Sequence, residues 1–458
     1  MADGWTERVY TIETRLQKEY CGYFREFAPE FAALCRRISQ DLRHGVETDS
    51  KYVTALMQKT GYLKRTVNSA LRQIKGRIKA LKELQKTQIA DKKNKVEALV
   101  GKIKDLSDEI DELKKSVVQH PNDKELLRKY KNKKAKLYSL QVRKNRFNND
   151  IRNYEKSDVP DICYGSKAFF AKQYHLEDNG YKTHKKWLND FRKLRDRQVY
   201  YLASREETAG NQMCQLKYQG GSFLLKVRKE RKYCPEDAKR NDERNYVWIP
   251  LDFSYRRELL IYALNNGLPL SYTFTCKNGK WYVDVAVTVK NEIWTDTSDG
   301  CIGMDFNNGF IALTETDKSG NITKTTNIPL KYHGTGNRAK SEMSEKISKI
   351  VRYAFNKKKA ISIENLKFSK KKSCCLRKGK KKYNEMLHLL DYSRYKQLCT
   401  DYCSTYGVML KLVNPAYTSK IGKQKYADKR KLTVHNAAAY VIARRGQGFK
   451  DRYKKKAA

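Results

Sequence analysis

The sequence predicts a multidomain α+β protein, in which an N-terminal helical lobe is inserted into a small β-barrel module and a C-terminal α/β domain follows. The 458 residues exceed what one ordinary hydrophobic core organises. The apolar periodicity changes from helical to strand-like near residue 200, and beyond residue 300 short apolar strands alternate with helices. The predicted parts are 1–17 (first strand of the β module), 18–160 (helical lobe), 161–296 (remainder of the β module) and 297–458 (α/β domain).

Two stretches of the predicted lobe carry the apolar spacing of paired helices, alternating four and three residues apart. The apolar positions are Leu99, Ile103, Leu106, Ile110, Leu113 and Val117 in the first arm, and Leu137, Leu140, Phe147, Ile151 and Tyr154 in the second. A helix-breaking segment at 119–123 separates them, so the arms are expected to fold back as an antiparallel hairpin. Its basic outer face favours binding to nucleic acid over the alternative, a coiled-coil arm for dimerisation.

The β module is predicted from two hairpins and one distant strand. Segments 215–227 and 272–285 read as hairpins, and Asn278 followed by Gly279 suits a type I′ turn. The β-branched alternation at 9–16 predicts a strand that enters a sheet completed much later in the chain. Long helices inserted after this strand would explain its distance from its partners.

Charge and cysteine content restrict the classes of function. The chain has 96 Lys and Arg against 51 Asp and Glu, a net charge of +45, which predicts a polyanionic partner such as nucleic acid. The 31 tyrosines add rings able to stack on unpaired bases. No signal peptide and no long apolar run is present, so no membrane partner is expected. The 11 cysteines form no C-x-x-C pair, which predicts reduced thiols in a cytosolic protein, with Cys399 and Cys403 packed in a core.

The chemistry is predicted to lie in the C-terminal domain. A buried strand delivers Asp305 and then continues through hairpins, and a later strand ends in Glu364. The last helix, with Thr433 as a plausible N-cap, carries an alanine run that would let it pack close to a sheet. This order is that of an RNase H-like fold. Hydrolysis of a phosphodiester needs two hard cations about 4 Å apart on rigid carboxylates, so Asp305 and Glu364 are predicted ligands of Mg²⁺, for which Mn²⁺ could substitute.

From residue 305 to residue 445 the chain resembles the RuvC domain of the transposon-encoded TnpB nucleases and of the type V CRISPR effectors. The matching pieces are IGMD at 302–305, IENL at 363–366, NPAYTS at 414–419 and the alanine-rich last helix. The resemblance implies an RNA-guided, Mg-dependent DNA endonuclease. Its partners would be a guide RNA, of the omega RNA or crRNA type, and double-stranded target DNA beside a short flanking motif, held by the family's wedge and recognition lobes.

The chain departs from the family pattern at two places. Two C-x-x-C pairs usually follow the NPAYTS-like motif, and their absence here predicts that no zinc is bound. Aligning Ala438 and Ala439 with the family's last motif places His435 where the third acidic residue stands. His435 is therefore predicted as the third metal ligand and catalytic residue, with Asp428 as a possible substitute ligand or a solvated charge.

Basic residues near these motifs are predicted to contact phosphates. They are Lys370, Lys371, Lys372, Arg377, Lys378, Lys380, Lys381 and Lys382 in a loop at 369–382, and Arg444 and Arg445 in the last helix. A density of charge this high cannot pack inside a core, so the loop should lie at the surface and attract the substrate strand. The tail at 450–456 is expected to contribute without sequence preference.

Two other functions remain open from the sequence. If His435 does not replace the missing carboxylate, the chain would be an RNA-guided DNA-binding protein that cannot cut. A transposase or resolvase that works without a guide is the third possibility. The sequence does not determine whether one or two copies of the chain bind each RNA.

Overall fold

The computed structural model describes residues 5–156, 159–204, 211–332, 336–366 and 392–453. The chain divides into two compact units. The N-terminal unit comprises Val9–Ala90 and Asn149–Val289, and the C-terminal unit comprises Met1–Arg8, Asp91–Asn148 and Lys290–Ala458. The boundaries predicted at 17, 160 and 296 stay predictions.

The elements up to residue 292 are as follows. The helices are α1 (Gly22–Arg43), α2 (Ser50–Thr60), α3 (Lys64–Gln119), α4 (Lys124–Glu155), α5 (Lys167–Ala171), α6 (His184–Arg195) and α7 (Arg257–Asn265). The strands are β1 (Trp5–Arg15), β2 (Gln198–Tyr201), β3 (Cys214–Gln219), β4 (Ser222–Arg228), β5 (Tyr246–Leu251), β6 (Leu270–Lys277) and β7 (Lys280–Glu292).

These strands pair as two separate sheets, in the orders β1-β7-β6-β2 and β3-β4-β5. Strand β1 lies beside β7, which confirms that the first strand joins a sheet completed much later in the chain. The two predicted hairpins are also confirmed as β3–β4 and β6–β7. Asn278 and Gly279 both have positive φ, 50° and 76°, as a type I′ turn requires. The described strands form two ladders, so the single barrel stays a prediction.

Helices α3 and α4 form the predicted antiparallel hairpin. Lys133 on α4 is 2.8 Å from Glu109 on α3, and farther from the turn the ammonium groups of Lys92 and Lys95 lie over the ring of Phe147. The seam residues Leu99, Leu106, Ile110 and Ile151 are buried. Along α4 there are eleven Lys or Arg and three acids, so the exposed side of this arm is strongly cationic.

The elements after residue 292 build a five-stranded sheet. The strands are β8 (Asp296–Asn307), β9 (Phe310–Thr316), β10 (Ile322–Pro329), β11 (Lys359–Glu364) and β12 (Leu410–Val413). The helices are α8 (Asn337–Asn356), α9 (Tyr392–Tyr406), α10 (Thr418–Gly422) and α11 (Val434–Gly446). The sheet order is β10-β9-β8-β11-β12. The first three strands along the chain pair antiparallel, whereas β8, β11 and β12 run parallel.

Helices cover both faces of this sheet, and side-chain alternation sorts the strand residues between them. Ile302, Met304, Ile361 and Ile363 belong to a core with residues of α8 and α9. That core includes Cys399 and Cys403, which confirms their predicted packing role. Cys301 and Ala360, one position before Ile302 and Ile361, pack against Ala443 of α11 on the opposite face.

Helix α11 lies unusually close to the sheet because small residues face each other. A Cβ built on Gly303 would lie 2.0 Å from the carbonyl oxygen of Ala439 and 2.5 Å from the backbone nitrogen of Ala443. The prediction that the alanine run permits close packing is therefore confirmed. Among the helices of the described residues, none is long and apolar enough to cross a membrane.

Candidate functional site

Asp305 and Glu364 lie side by side on neighbouring parallel strands. The register of β8 and β11 pairs Met304 with Ile363, and its continuation by one residue sets Asp305 opposite Glu364. Neighbouring strands are about 4.8 Å apart. Both residues have the alternation of Gly303 and Ser362, so both side chains point to the face that α11 covers. The sequence-based expectation that the two carboxylates meet on one sheet face agrees with this placement.

The carboxylate of Asp305 is held by two neighbours. Asn307 Nδ2 donates a hydrogen bond to Asp305 Oδ2 at 3.0 Å, and His435 Nδ1 is 3.5 Å from the same oxygen. The Asp305 side chain is 14 % exposed and that of His435 is 50 % exposed. The interaction with Asp305 raises the pKa of His435, because it outweighs the opposing effect of partial burial. The ring of Phe310 meets the imidazole edge-on.

His435 occupies the first turn of α11. The hydroxyl of Thr433 accepts a hydrogen bond from the Asn436 amide at 3.1 Å, so Thr433 is the N-cap that the sequence predicted. This start of the helix directs both the imidazole and the positive end of the helix dipole toward Asp305.

Glu364 is held by Thr418, the first residue of α10, and by Tyr392 of α9. The hydroxyl of Thr418, which is 2 % exposed, donates to Glu364 Oε1, and the Tyr392 hydroxyl donates to the Glu364 carbonyl. Burial lowers the pKa of the Arg445 guanidinium, and the charge of Glu364 opposes that change. Burial raises the pKa of Tyr392, and both candidate carboxylates act in the same direction.

The loop that precedes Thr418 has a defined conformation. Arg445 donates to the carbonyl oxygens of Asn414 and of Ala416, the latter at 2.8 Å. The Asn414 side chain accepts from the Ala416 amide at 2.9 Å. Tyr417 then adopts φ 62°, a left-handed conformation that is uncommon for a residue with a side chain. These contacts turn the chain so that the next residue, Thr418, faces Glu364.

Two carboxylates on adjacent strands are donors that suit a hard cation such as Mg²⁺. Among the residues that the structure describes, however, no group of three or more His, Cys, Asp or Glu side chains is placed to hold a metal ion. The third candidate, His435, presents Nδ1 to Asp305, and Glu364 is engaged by Thr418. Asp305 and Glu364 are therefore donors of the type that a hard cation takes, and the predicted role of His435 as a third metal ligand stays a prediction.

The predicted phosphate contacts have varied outcomes. The residues from Lys370 to Lys382 lie outside the described residues. Arg444 donates to Asp451 Oδ2 at 3.0 Å and to the Gly320 carbonyl at 3.1 Å, so its guanidinium has partners within the chain. Arg445 holds the loop described above. Contacts of these arginines with phosphate stay predictions, and Asp428 is exposed as the solvated-charge interpretation expects.

Sequence reasoning missed the groups that orient the two carboxylates. Asn307 follows Asp305 by two positions, a spacing that could have been noticed. Thr418 lies within the NPAYTS segment, whose role the sequence did not reveal. Tyr392 is far from Glu364 in the chain, and only the packing of α9 brings them together.

Comparison with known proteins gives limited likenesses. No protein-family model matches the chain, and no curated protein sequence matches it. Among solved structures, a complex of Cas12f1 with sgRNA and target DNA aligns with 96 % of this chain and 99 % of that chain, at 12 % identity and a TM-score of 0.38. A binary complex of Cas12i1 with crRNA aligns with 92 % of this chain and 54 % of that chain, at 11 % identity and a TM-score of 0.26. Both TM-scores are too low to establish a shared fold.

Proposed function

We propose that the chain is an RNA-guided, magnesium-dependent DNA endonuclease of the TnpB and compact type V class, with an RNase H-like (RuvC-type) catalytic domain in its C-terminal unit. The observation that carries this proposal is the placement of Asp305 and Glu364 on one face of the central parallel strands. The sheet order, with an antiparallel meander followed by two parallel strands, supports it. The resemblance of the four sequence motifs supports it independently.

The chain's own residues suit phosphodiester hydrolysis. Asn307 and Thr418 restrict rotation of the two carboxylates, which keeps the site organised. His435, whose imidazole lies 3.5 Å from Asp305, and the N-terminal end of α11 would favour an anionic phosphate at this place. Magnesium, when bound, would supply charge stabilisation and an activated water.

The guided part of the proposal rests on charge. The net charge of +45 needs a polyanion, and the basic arm α4 offers a long surface for a nucleic-acid backbone. In guided systems base pairing reads the sequence, while the protein reads shape and a short flanking motif. A protein with so many cations can hold both an RNA and its DNA target.

The test begins with the full chain purified together with its bound RNA. Cleavage of DNA matching that RNA is expected in Mg²⁺, and it should vanish in Asp305→Asn and in Glu364→Gln. Glu345→Gln, an exposed carboxylate on α8, is the matched control and should cut as the wild type does. A defined RNA scaffold with variable ends supports guidance, whereas random cellular RNA contradicts it. Activity that survives ribonuclease would instead indicate a guide-independent transposase or resolvase.

A guided DNA-binding protein without cleavage is the second candidate. The observation that favours it is the lack, among the described residues, of a third carboxylate beside Asp305 and Glu364. Tight, guide-dependent binding with no cleavage in Mg²⁺ or Mn²⁺ would select this function. Cleavage that is lost in His435→Ala and kept in Asp428→Asn would exclude it and support His435 as the third site residue.

A further inference from the structure

Two stacked aromatic rings, Tyr417 exposed and Tyr453 half-buried, lie beside the candidate site. Tyr417 is 54 % exposed, and its ring stacks on that of Tyr453, with centroids 5.3 Å apart and planes 7° from parallel. The ammonium of Lys420 lies 5.7 Å and 5.6 Å from the two ring centres. These three residues, here called the tyrosine platform, all belong to the C-terminal unit.

Contacts near each of the two tyrosines fix the position of the platform. Tyr417 has the left-handed backbone conformation described above, in a loop that Arg445 holds through two carbonyls. A residue kept in this sparsely populated region is over-determined by its surroundings, and such residues concentrate at binding sites. The conformation leaves the Tyr417 ring at the surface while the next side chain, Thr418, contacts Glu364.

Tyr453 is fixed by a buried anchor two residues earlier. Asp451, whose side chain is 6 % exposed, accepts from the Tyr426 hydroxyl at 2.7 Å and from Arg444 at 3.0 Å. Burial alone would raise the pKa of Asp451, but these two donors hold it below its usual range. Asp451 is therefore held as a carboxylate, and this anchor places Tyr453 against Tyr417 in the absence of any ligand.

We propose that the tyrosine platform stacks an unpaired nucleobase of the strand that enters the candidate site. An exposed aromatic face beside a cation suits a base joined to a phosphate, because the ring binds the base and the ammonium attracts the phosphate. Since Tyr417 directly precedes the residue that holds Glu364, a base stacked there would place its strand next to the two carboxylates. The inference rests on the proposed function for its setting, but stacking itself requires neither metal nor cleavage.

The probe is a fluorescently labelled single strand of about 12 nucleotides, within the range of single-strand site sizes. DNA and RNA versions, a version with abasic positions and the matching duplex complete the set. Binding to the full chain, freed of bound nucleic acid, is measured by anisotropy in EDTA at about 0.3 M salt, which weakens the contribution of phosphate contacts. The variants are Tyr417→Leu, Tyr417→Phe and Tyr453→Leu, with Tyr262→Leu as the control at an exposed tyrosine on α7.

Tyr417→Leu is expected to weaken single-strand binding about 5- to 100-fold, and Tyr453→Leu to act in the same direction. Tyr417→Phe should stay within about twofold of wild type because it keeps the ring. Wild type should bind the abasic strand as weakly as Tyr417→Leu binds the normal strand. Binding of the abasic strand by Tyr417→Leu should be no weaker than either of these, because the same stacking contact is lost in each case. The tighter of the DNA and RNA arms identifies the strand.

Unchanged binding by Tyr417→Leu overturns the inference. The inference is also overturned if Tyr417→Leu loses equal affinity for duplex and for single strand. It is overturned as well if the affinity lost in Tyr417→Leu adds fully to the affinity lost with the abasic strand, because the ring would then not be stacking on a base. Unfolding curves of each variant separate a folding defect from a binding defect. Tyr453→Leu tests the platform independently, because it removes the second ring and leaves Tyr417 in place. Normal stacking with no cleavage by wild type would defeat only the proposed nuclease, whereas cleavage without stacking would defeat only this inference.

Discussion

Replacing Gly303 by alanine should separate the last helix from the sheet. The added Cβ would lie 2.0 Å from the Ala439 oxygen, 2.5 Å from the Ala443 nitrogen and 2.9 Å from the Ala443 Cβ. The two shortest contacts are to helix backbone, which no rotamer change can relieve. Because non-bonded atoms rest at about 3.5 Å or more, α11 would have to move by about 1.5 Å from a 2.0 Å contact.

The cost should be at the upper end of the range for overpacked cores, about 3 kcal/mol in the free energy of unfolding. The same displacement would pull His435 away from Asp305, which are now 3.5 Å apart. A misplacement of about 1 Å can reduce the rate of a catalysed step about 100-fold. Gly303→Ala should therefore lose both stability and, if the chain is a nuclease, most of its activity.

Urea unfolding of the full chain measures the stability, and amide hydrogen exchange in β8 and α11 locates the change. Gly101→Ala is the matched control, because nothing lies within 4 Å of the added Cβ on α3. It should be neutral or stabilise by up to about 1 kcal/mol through the higher helix propensity of alanine. If Gly303→Ala unfolds within about 0.5 kcal/mol of wild type with unchanged protection of α11, the helix does not pack this closely on β8.

Three further predictions concern other parts of the chain. Thr418→Val removes the hydroxyl that orients Glu364, and it should weaken Mn²⁺ binding at least about tenfold in a titration of the metal-free chain. Thr418→Ser keeps the hydroxyl and should bind Mn²⁺ as the wild type does. Equal Mn²⁺ affinities of the two variants would contradict the positioning role of Thr418. Burial, and next the nearby Glu13 carboxylate, raises the pKa of Asp284 to about 6, so the folded state holds this proton more tightly than the unfolded state and stability falls as pH rises from about 4 to about 6. Asp284→Asn should therefore raise the free energy of unfolding at pH 7, by less than about 1 kcal/mol after solvent screening, and leave it unchanged at pH 4. Urea unfolding at pH 7 and at pH 4 measures the difference. An equal increase at the two pH values would refute the prediction. Replacing the exposed Lys131 and Lys136 of α4 by alanine should lower the slope of log affinity against log salt by about 0.9 for each lost phosphate contact, and an unchanged slope for a DNA duplex would remove this arm from the interface.

Local sequence patterns were sufficient for much of the fold. The seam from Leu99 to Tyr154 predicted the hairpin because helical periodicity is a property of neighbouring residues. Asn278 and Gly279 predicted their turn because few residues tolerate positive φ at two successive positions. The barrel could not be predicted in the same way, because sheet closure depends on pairing between strands that are distant in the chain.

In the candidate site, the sequence predicted the carboxylates but not the groups that position them. Asp305 and Glu364 could be named because each follows directly on a run of apolar strand residues. The hydrogen bond from Thr418 and the contact of Tyr392 arise between segments that meet only after β11, β12 and α9 have packed. Arg444 was expected to face phosphate, yet the fold gives its charge a buried partner in Asp451.

By itself the sequence determined the charge of the protein and the periodicity of its elements, and it predicted Asp305 and Glu364 as ligands of a hard cation, because composition and local pattern are properties of the chain alone. Only the tertiary structure decided that two parallel strands align Asp305 with Glu364, that His435 pairs with Asp305, and that Tyr417 stacks on Tyr453. Strand register and helix docking depend on contacts between distant segments, and these contacts exist only when the cores have formed.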